Sequence, residues 1–116
     1  MTFDTLRDYC LSLPGTAEKM PFGETTLVFT VGGKMFCLTD IETCESINLK
    51  CDPETALLLR EQYSEVQPGY HMSKQHWNTV SLIGSLRDSQ LREWIADSYN
   101  LVFQSLPKSK RAEIES

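Results

Sequence analysis

The sequence predicts an α+β fold: a two-layer sandwich whose antiparallel five-stranded sheet carries its helices on one face. Three observations predict it. Apolar residues recur at helical spacing over 2–12, 52–63 and 88–106. Runs that alternate, or that are rich in strand formers, occupy 26–31, 34–40, 45–51 and 77–83, with a short fifth candidate near Val66. Successive strands joined by tight turns pair antiparallel, and three helices are too few to cover both faces of such a sheet.

The elements follow in the order α-β-β-β-α-β-β-α. Phe3, Leu6, Cys10 and Leu13 form the apolar stripe of a first helix, which Pro14-Gly15 stops. PGTAEKMPFGE, 14–24, reads as an ordered loop. In TLVFTV, Leu27, Phe29 and Val31 face one way and Thr26, Val28 and Thr30 the other. Gly32-Gly33 signals a two-residue hairpin turn, because both glycines accept positive φ. KMFCLTD returns, and ESINLKC adds a third strand with Ile47, Leu49 and Cys51 opposite Ser46, Asn48 and Lys50. Asp52-Pro53-Glu54 starts the second helix: a capping carboxylate, a first-turn proline and an acid at the positive dipole end. WNTVSLI is the last strand. The final helix starts at Asp88 or Ser89, with Leu91, Trp94, Ile95, Val102 and Leu106 as its stripe. Pro107 ends it, and KSKR, 108–111, is a basic tail.

At 116 residues the chain is one domain, and 41% hydrophobic residues suffice for a packed core. A formal charge of −5 excludes wholesale electrostatic capture of nucleic acid but leaves room for a local positive patch. No apolar run approaches the roughly 18–20 residues of a membrane span, and the N-terminus lacks the pattern of a signal peptide, so no membrane contact and a cytoplasmic location are expected. Cys10, Cys37, Cys44 and Cys51 form no CxxC pair and read as free thiols rather than zinc ligands. No metal or other cofactor is expected.

Residues 68–80, PGYHMSKQHWNTV, stand apart. They hold both histidines, and they lie inside Val66–Gly84, a run without Asp or Glu in a chain that has sixteen of them. Alternation along the last strand sends Val80 and Leu82 to the core and Trp77, Thr79 and Ser81 to the open face. Ser46, Asn48 and Lys50 join them there. An exposed Trp77 beside His71, Lys74 and His76 has the composition of a recognition surface.

PGYHMSKQHWNTV resembles the signature block of the MmcQ/YjbR family, PGYHMNK-x-HWNTV. Supporting blocks occur in the same order: PGTAEKMPFG, GGKMF, LKCDP, and SY followed by LPKSKR. The resemblance covers nearly the whole chain. Ser73 replaces the family's usual Asn, exchanging an amide for a hydroxyl, and Arg87 stands where proline is common. The resemblance implies a sandwich like those of secretion chaperones and frataxin, a "double wing" DNA-binding role, and no catalysis.

Each candidate residue also has a plainer reading. His71 and His76 read first as hydrogen-bonding loop residues and Lys74 as a solvated loop lysine, while Trp77 reads as readily as core. Tyr70, Asn78, Thr79 and Lys50 complete the candidate set. For an enzyme, no cysteine lies beside the histidines in sequence, and GGK at 32–34 lacks the phosphate-loop spacing. The expectation is a small non-enzymatic binding module that takes DNA weakly on its open sheet face and the 70–79 block. A protein-interaction or chaperone-like module and a small-anion binder are the alternatives.

Overall fold

Thr2 opens α1 (Phe3–Ser12) by accepting the Thr5 amide with its hydroxyl. The structure, a computed structural model, describes all residues from Met1 to Ser116. After α1 come β1 (Thr16–Lys19), β2 (Thr26–Val31), β3 (Lys34–Asp40), β4 (Ser46–Lys50), α2 (Pro53–Gln62), β5 (Val66–Pro68), β6 (Trp77–Ser81), α3 (Asp88–Gln104) and α4 (Lys108–Glu115). All strand pairs are antiparallel, in the order β1-β2-β3-β4-β6-β5.

The sheet therefore has six strands rather than five, and the element order gains a strand and a helix. The extra strand, β1, lies within the stretch that reads as a loop. It is an edge strand: Thr16 is half-buried and Ala17, Glu18 and Lys19 are exposed, so no alternation marks it in the sequence. What holds it is the β2 ladder and the Arg7–Glu18 pair, whose two N–H···O contacts are 2.7 Å each. The Arg7 guanidinium keeps the Glu18 carboxyl below its ordinary range. The extra helix is α4. Pro107 suits a helix start as well as a stop, and after it Arg111 and Ile114 turn inward while the rest of 108–115 is exposed.

One face of the sheet carries the core. Leu27, Phe29, Val31, Ile47, Leu49 and Val80 meet Leu6 and Cys10 of α1 and Leu91, Ile95, Val102 and Phe103 of α3. Tyr99, one residue off the stripe expected for α3, is buried. It packs edge-on to Phe36 at 5.5 Å and donates its hydroxyl to the Pro14 carbonyl. All four cysteines are free thiols. The Cys10 thiol beside it, together with burial, raises Cys37 well above its ordinary range, so it stays protonated.

Ser98 repairs a fault in the sheet. A bulge between Phe29 and Thr30 shifts the β2–β3 register, and the β3–β4 pairing ends at Cys37–Leu49. Past that point the fully buried Ser98 hydroxyl donates to the Phe36 carbonyl (2.6 Å) and accepts the Lys50 N–H (2.9 Å). Ser98→Ala strands both backbone groups and is expected to lose about 1–3 kcal/mol. Urea unfolding reads this as a lower midpoint at unchanged slope.

Candidate functional site: the open sheet face

The ladder fixes which side chains share the helix-free face. Lys19 pairs with Val28, Val28 with Leu38, Leu38 with Asn48 and Asn48 with Thr79. Lys50 pairs with Trp77, so both belong to this face as well. Trp77 lies on the expected side, yet it is not exposed. Its exposure is 8%, because Val28 and Leu38 give the indole an apolar bed and Met35 and Met72 close over it.

The 68–80 block is a knot built around that indole. Gly69 donates its N–H to the Trp77 carbonyl (2.9 Å), and a Cβ at position 69 would meet the Trp77 Cβ at 2.8 Å. Only glycine permits this approach. The Gly69 carbonyl accepts the Lys74 ammonium at 3.0 Å, so Lys74, though exposed, is partly committed to the loop. The Tyr70 N–H donates to the Thr79 hydroxyl (2.9 Å), which itself donates to Asn48 Oδ1.

Asn78 departs from expectation. Alternation places it opposite Leu49, on the helix side, where it is 2% exposed. Its Oδ1 accepts Arg60 Nε at 2.7 Å and its Nδ2 donates to the Ala56 carbonyl at 3.4 Å. Asn78 is therefore a strut between α2 and β6 and cannot reach a ligand on the open face. Arg60 also donates to the carbonyls of Lys74 and Trp77, which ties α2 to the C-terminal part of the loop and the start of β6. These carbonyls engage the one guanidinium nearby, so no carboxylate is needed in the block.

What remains free is Tyr70, His71 and His76. Tyr70 is 68% exposed, and its ring lies 4.1 Å from that of His71, whose φ of +59° turns the chain there. His76 is exposed and gives only its backbone to the fold: its carbonyl accepts the Cys51 N–H and its N–H donates to the Ser73 carbonyl. Tyr70, His71 and Met72 line one wall of a cleft of about 470 Å³. Its floor includes Ser46, Asn48 and Thr79, and Phe22 and Asp40 stand at its edge. Phe22, 62% exposed, is missing from the sequence-derived candidates; its signal was a phenylalanine between Pro21 and Gly23 in the block PFG.

Charge divides between the two faces. Asp4 and Asp8 lie on α1, Glu54 and Glu61 on α2, Asp88, Glu93 and Asp97 on α3, and Glu113 and Glu115 on α4, nine acids against the six helical cations Arg7, Arg60, Arg92, Lys108, Lys110 and Arg111. By register the open face carries Lys19 and Lys50 against Asp40, with Lys74, His71 and His76 beside them.

A two-layer α+β domain with a six-stranded antiparallel sheet, one face under helices and the other bearing a cleft beside a knotted loop, is the class these features define. The YjbR family model matches residues 11–101, and the chain belongs to that family. It is 38% identical over 112 residues to the uncharacterised protein YbdF of Escherichia coli O157:H7, covering 96% of this chain and 92% of that one. It is 37% identical to the uncharacterised protein YjbR of Escherichia coli K12, covering 96% and 95%. Among solved structures, a Deinococcus radiodurans protein superposes with a TM-score of 0.91 at 40% identity, covering 98% of this chain and 88% of that one. A Pseudomonas syringae protein gives 0.74 at 28% identity, covering 88% and 99%. No helix is long and apolar enough to cross a membrane.

Proposed function

We propose that the protein is a binding module without a catalytic step, and that its ligand is DNA, taken on the open sheet face beside the 70–79 block. The observation that carries this reading is the division of charge. The helices hold nine of the acids against six cations, while on the other face Lys19 and Lys50, with Lys74 beside them, meet one aspartate, Asp40. Phosphate contacts from lysine supply sequence-independent affinity, and so few of them in a chain of charge −5 give weak, salt-sensitive binding. Tyr70 and Phe22 add aromatic surface at the cleft.

The test is fluorescence anisotropy of a labelled mixed-sequence duplex at about 50 and about 200 mM salt. The wild type is expected to bind at micromolar concentration in low salt and to release as salt rises. Replacing Lys19 and Lys50 together by Ala is expected to weaken binding and flatten the salt slope by about 2, with folding intact. An absence of binding at low salt overturns the reading. A protein partner is the second reading, favoured by the exposed rings of Phe22 and Tyr70. It predicts an association that Tyr70→Ala weakens and the lysine pair leaves unchanged.

A further inference from the structure

A second cavity, of about 390 Å³, lies on the opposite side of the sheet from the open-face cleft. It lies between α2 and α3, over β4 and β6. Leu49 and Val80 floor it, and Leu59, Trp94 and Leu101 wall it. Its volume is in the range of small-molecule sites. Thr55, Asn78, Asn100 and Gln104 are its neutral polar fittings, and Asp52 and Asp97 its acids. Asp52 caps α2, accepting the Thr55 N–H and hydroxyl, while Asp97 has no cationic partner. Lys50 lines it too, but pairing with Trp77 places its side chain on the other face. Arg60, the nearest guanidinium, is engaged by Asn78 and the carbonyls of Lys74 and Trp77. Arg111 reaches only Gln104, two turns along α3 from Asp97 and so about 10 Å away.

We propose that this groove binds a small organic amine, whose apolar body lies over Leu49 and Val80 beside Trp94 and whose ammonium meets Asp97, with Asp52 nearby. An apolar trough ending in the unpaired Asp97 carboxylate next to an indole suits a cation with a hydrophobic body: the ammonium gains an ion pair and the ring face, and the body gains burial. An anion meets like charge at Asp97. Two ionisations agree with this field. Burial, with Glu93 adding to it, raises the Asp97 carboxyl, so that carboxylate lacks the cation that would hold it down. Burial and then the charges of Asp52 and Asp97 raise the Cys51 thiol, against the opposite pull of Arg60.

The experiment titrates the full-length chain with phenethylamine, phenethyl alcohol and phenylpropionate at millimolar concentration. The indole N–H resonances of Trp94 and Trp77 report on the two faces of the sheet. The amine is expected to move Trp94 and leave Trp77 in place, to bind about tenfold tighter than the alcohol, and to lose that advantage in Asp97→Asn. Asp97 is exposed, so this variant keeps the wild-type spectrum elsewhere. The proposal is overturned if the carboxylate binds as well as the amine, if Trp77 moves instead, if the preference survives in Asp97→Asn, or if no probe moves Trp94. None of these results bears on DNA at the open face.

Discussion

Trp77→Ala is expected to lose about 3–5 kcal/mol of folding stability, a large share of the roughly 5–15 kcal/mol that holds an ordinary domain together. The indole is the centre of the small cluster on the open face, where Val28, Leu38, Met35 and Met72 lie against it. Its removal leaves a cavity lined by those side chains and takes away what Gly69 packs on. Urea unfolding measures the loss. Tyr70→Ala, seven residues earlier, removes a ring that is 68% exposed and is expected to stay within about 0.5 kcal/mol of wild type. The contrast separates the two aromatics of the block: Trp77 builds the face, and Tyr70 is free to meet a ligand.

Arg60→Met is expected to cost about 3 kcal/mol, because hydrogen bonds from a charged donor to partly buried acceptors are among the stronger ones and three acceptors lose theirs. These are Asn78 Oδ1 and the carbonyls of Lys74 and Trp77. Methionine keeps much of the apolar stem, so the loss reports the guanidinium. A double-mutant cycle with Asn78→Ala is expected to show coupling of about 1–2 kcal/mol. Hydrogen exchange is expected to speed up at the Gly69 and Trp77 amides, which bond inside the loop. Additive effects, with the loop amides still protected, would show that Arg60 is not the tie.

The parts of this structure that were legible in the sequence are those whose burial is periodic. β4 alternates cleanly, α1 and α3 carry stripes, and the Gly32-Gly33 turn has both residues at positive φ, +58° and +86°, whereas β2 is buried on both faces and is legible from its strand-forming residues. β1 was illegible because an edge strand with one half-buried residue leaves no pattern. α4 was illegible because Pro107 punctuates both the end of one helix and the start of the next.

The candidate site divides on the same physical line. Alternation sent Trp77, Thr79 and Lys50 to the open face, where the register places them. It could not show that Val28 and Leu38 would cover the indole, because that depends on two other strands. Asn78 belonged to the helix side by the same alternation, and its partner Arg60 lies eighteen residues away on a helix, a separation no local pattern reveals. The absence of acids from 66–84 has a structural source: the loop's free carbonyls are met by Arg60 and Lys74, which a neighbouring carboxylate would draw away. Phe22 enters the cleft through a loop whose position only the fold supplies.

The central claim is that the open sheet face is the side on which this protein meets its ligand, and the most direct measurement is a map of amide and side-chain NMR shifts during titration with a short DNA duplex at low salt. The account predicts movement at Lys19, Asn48, Lys50, Tyr70, His71 and Thr79, shrinking as salt is raised, with Asp97 and Leu101 between the helices unmoved. Shifts confined to α2 and α3, or none at low salt, would contradict it.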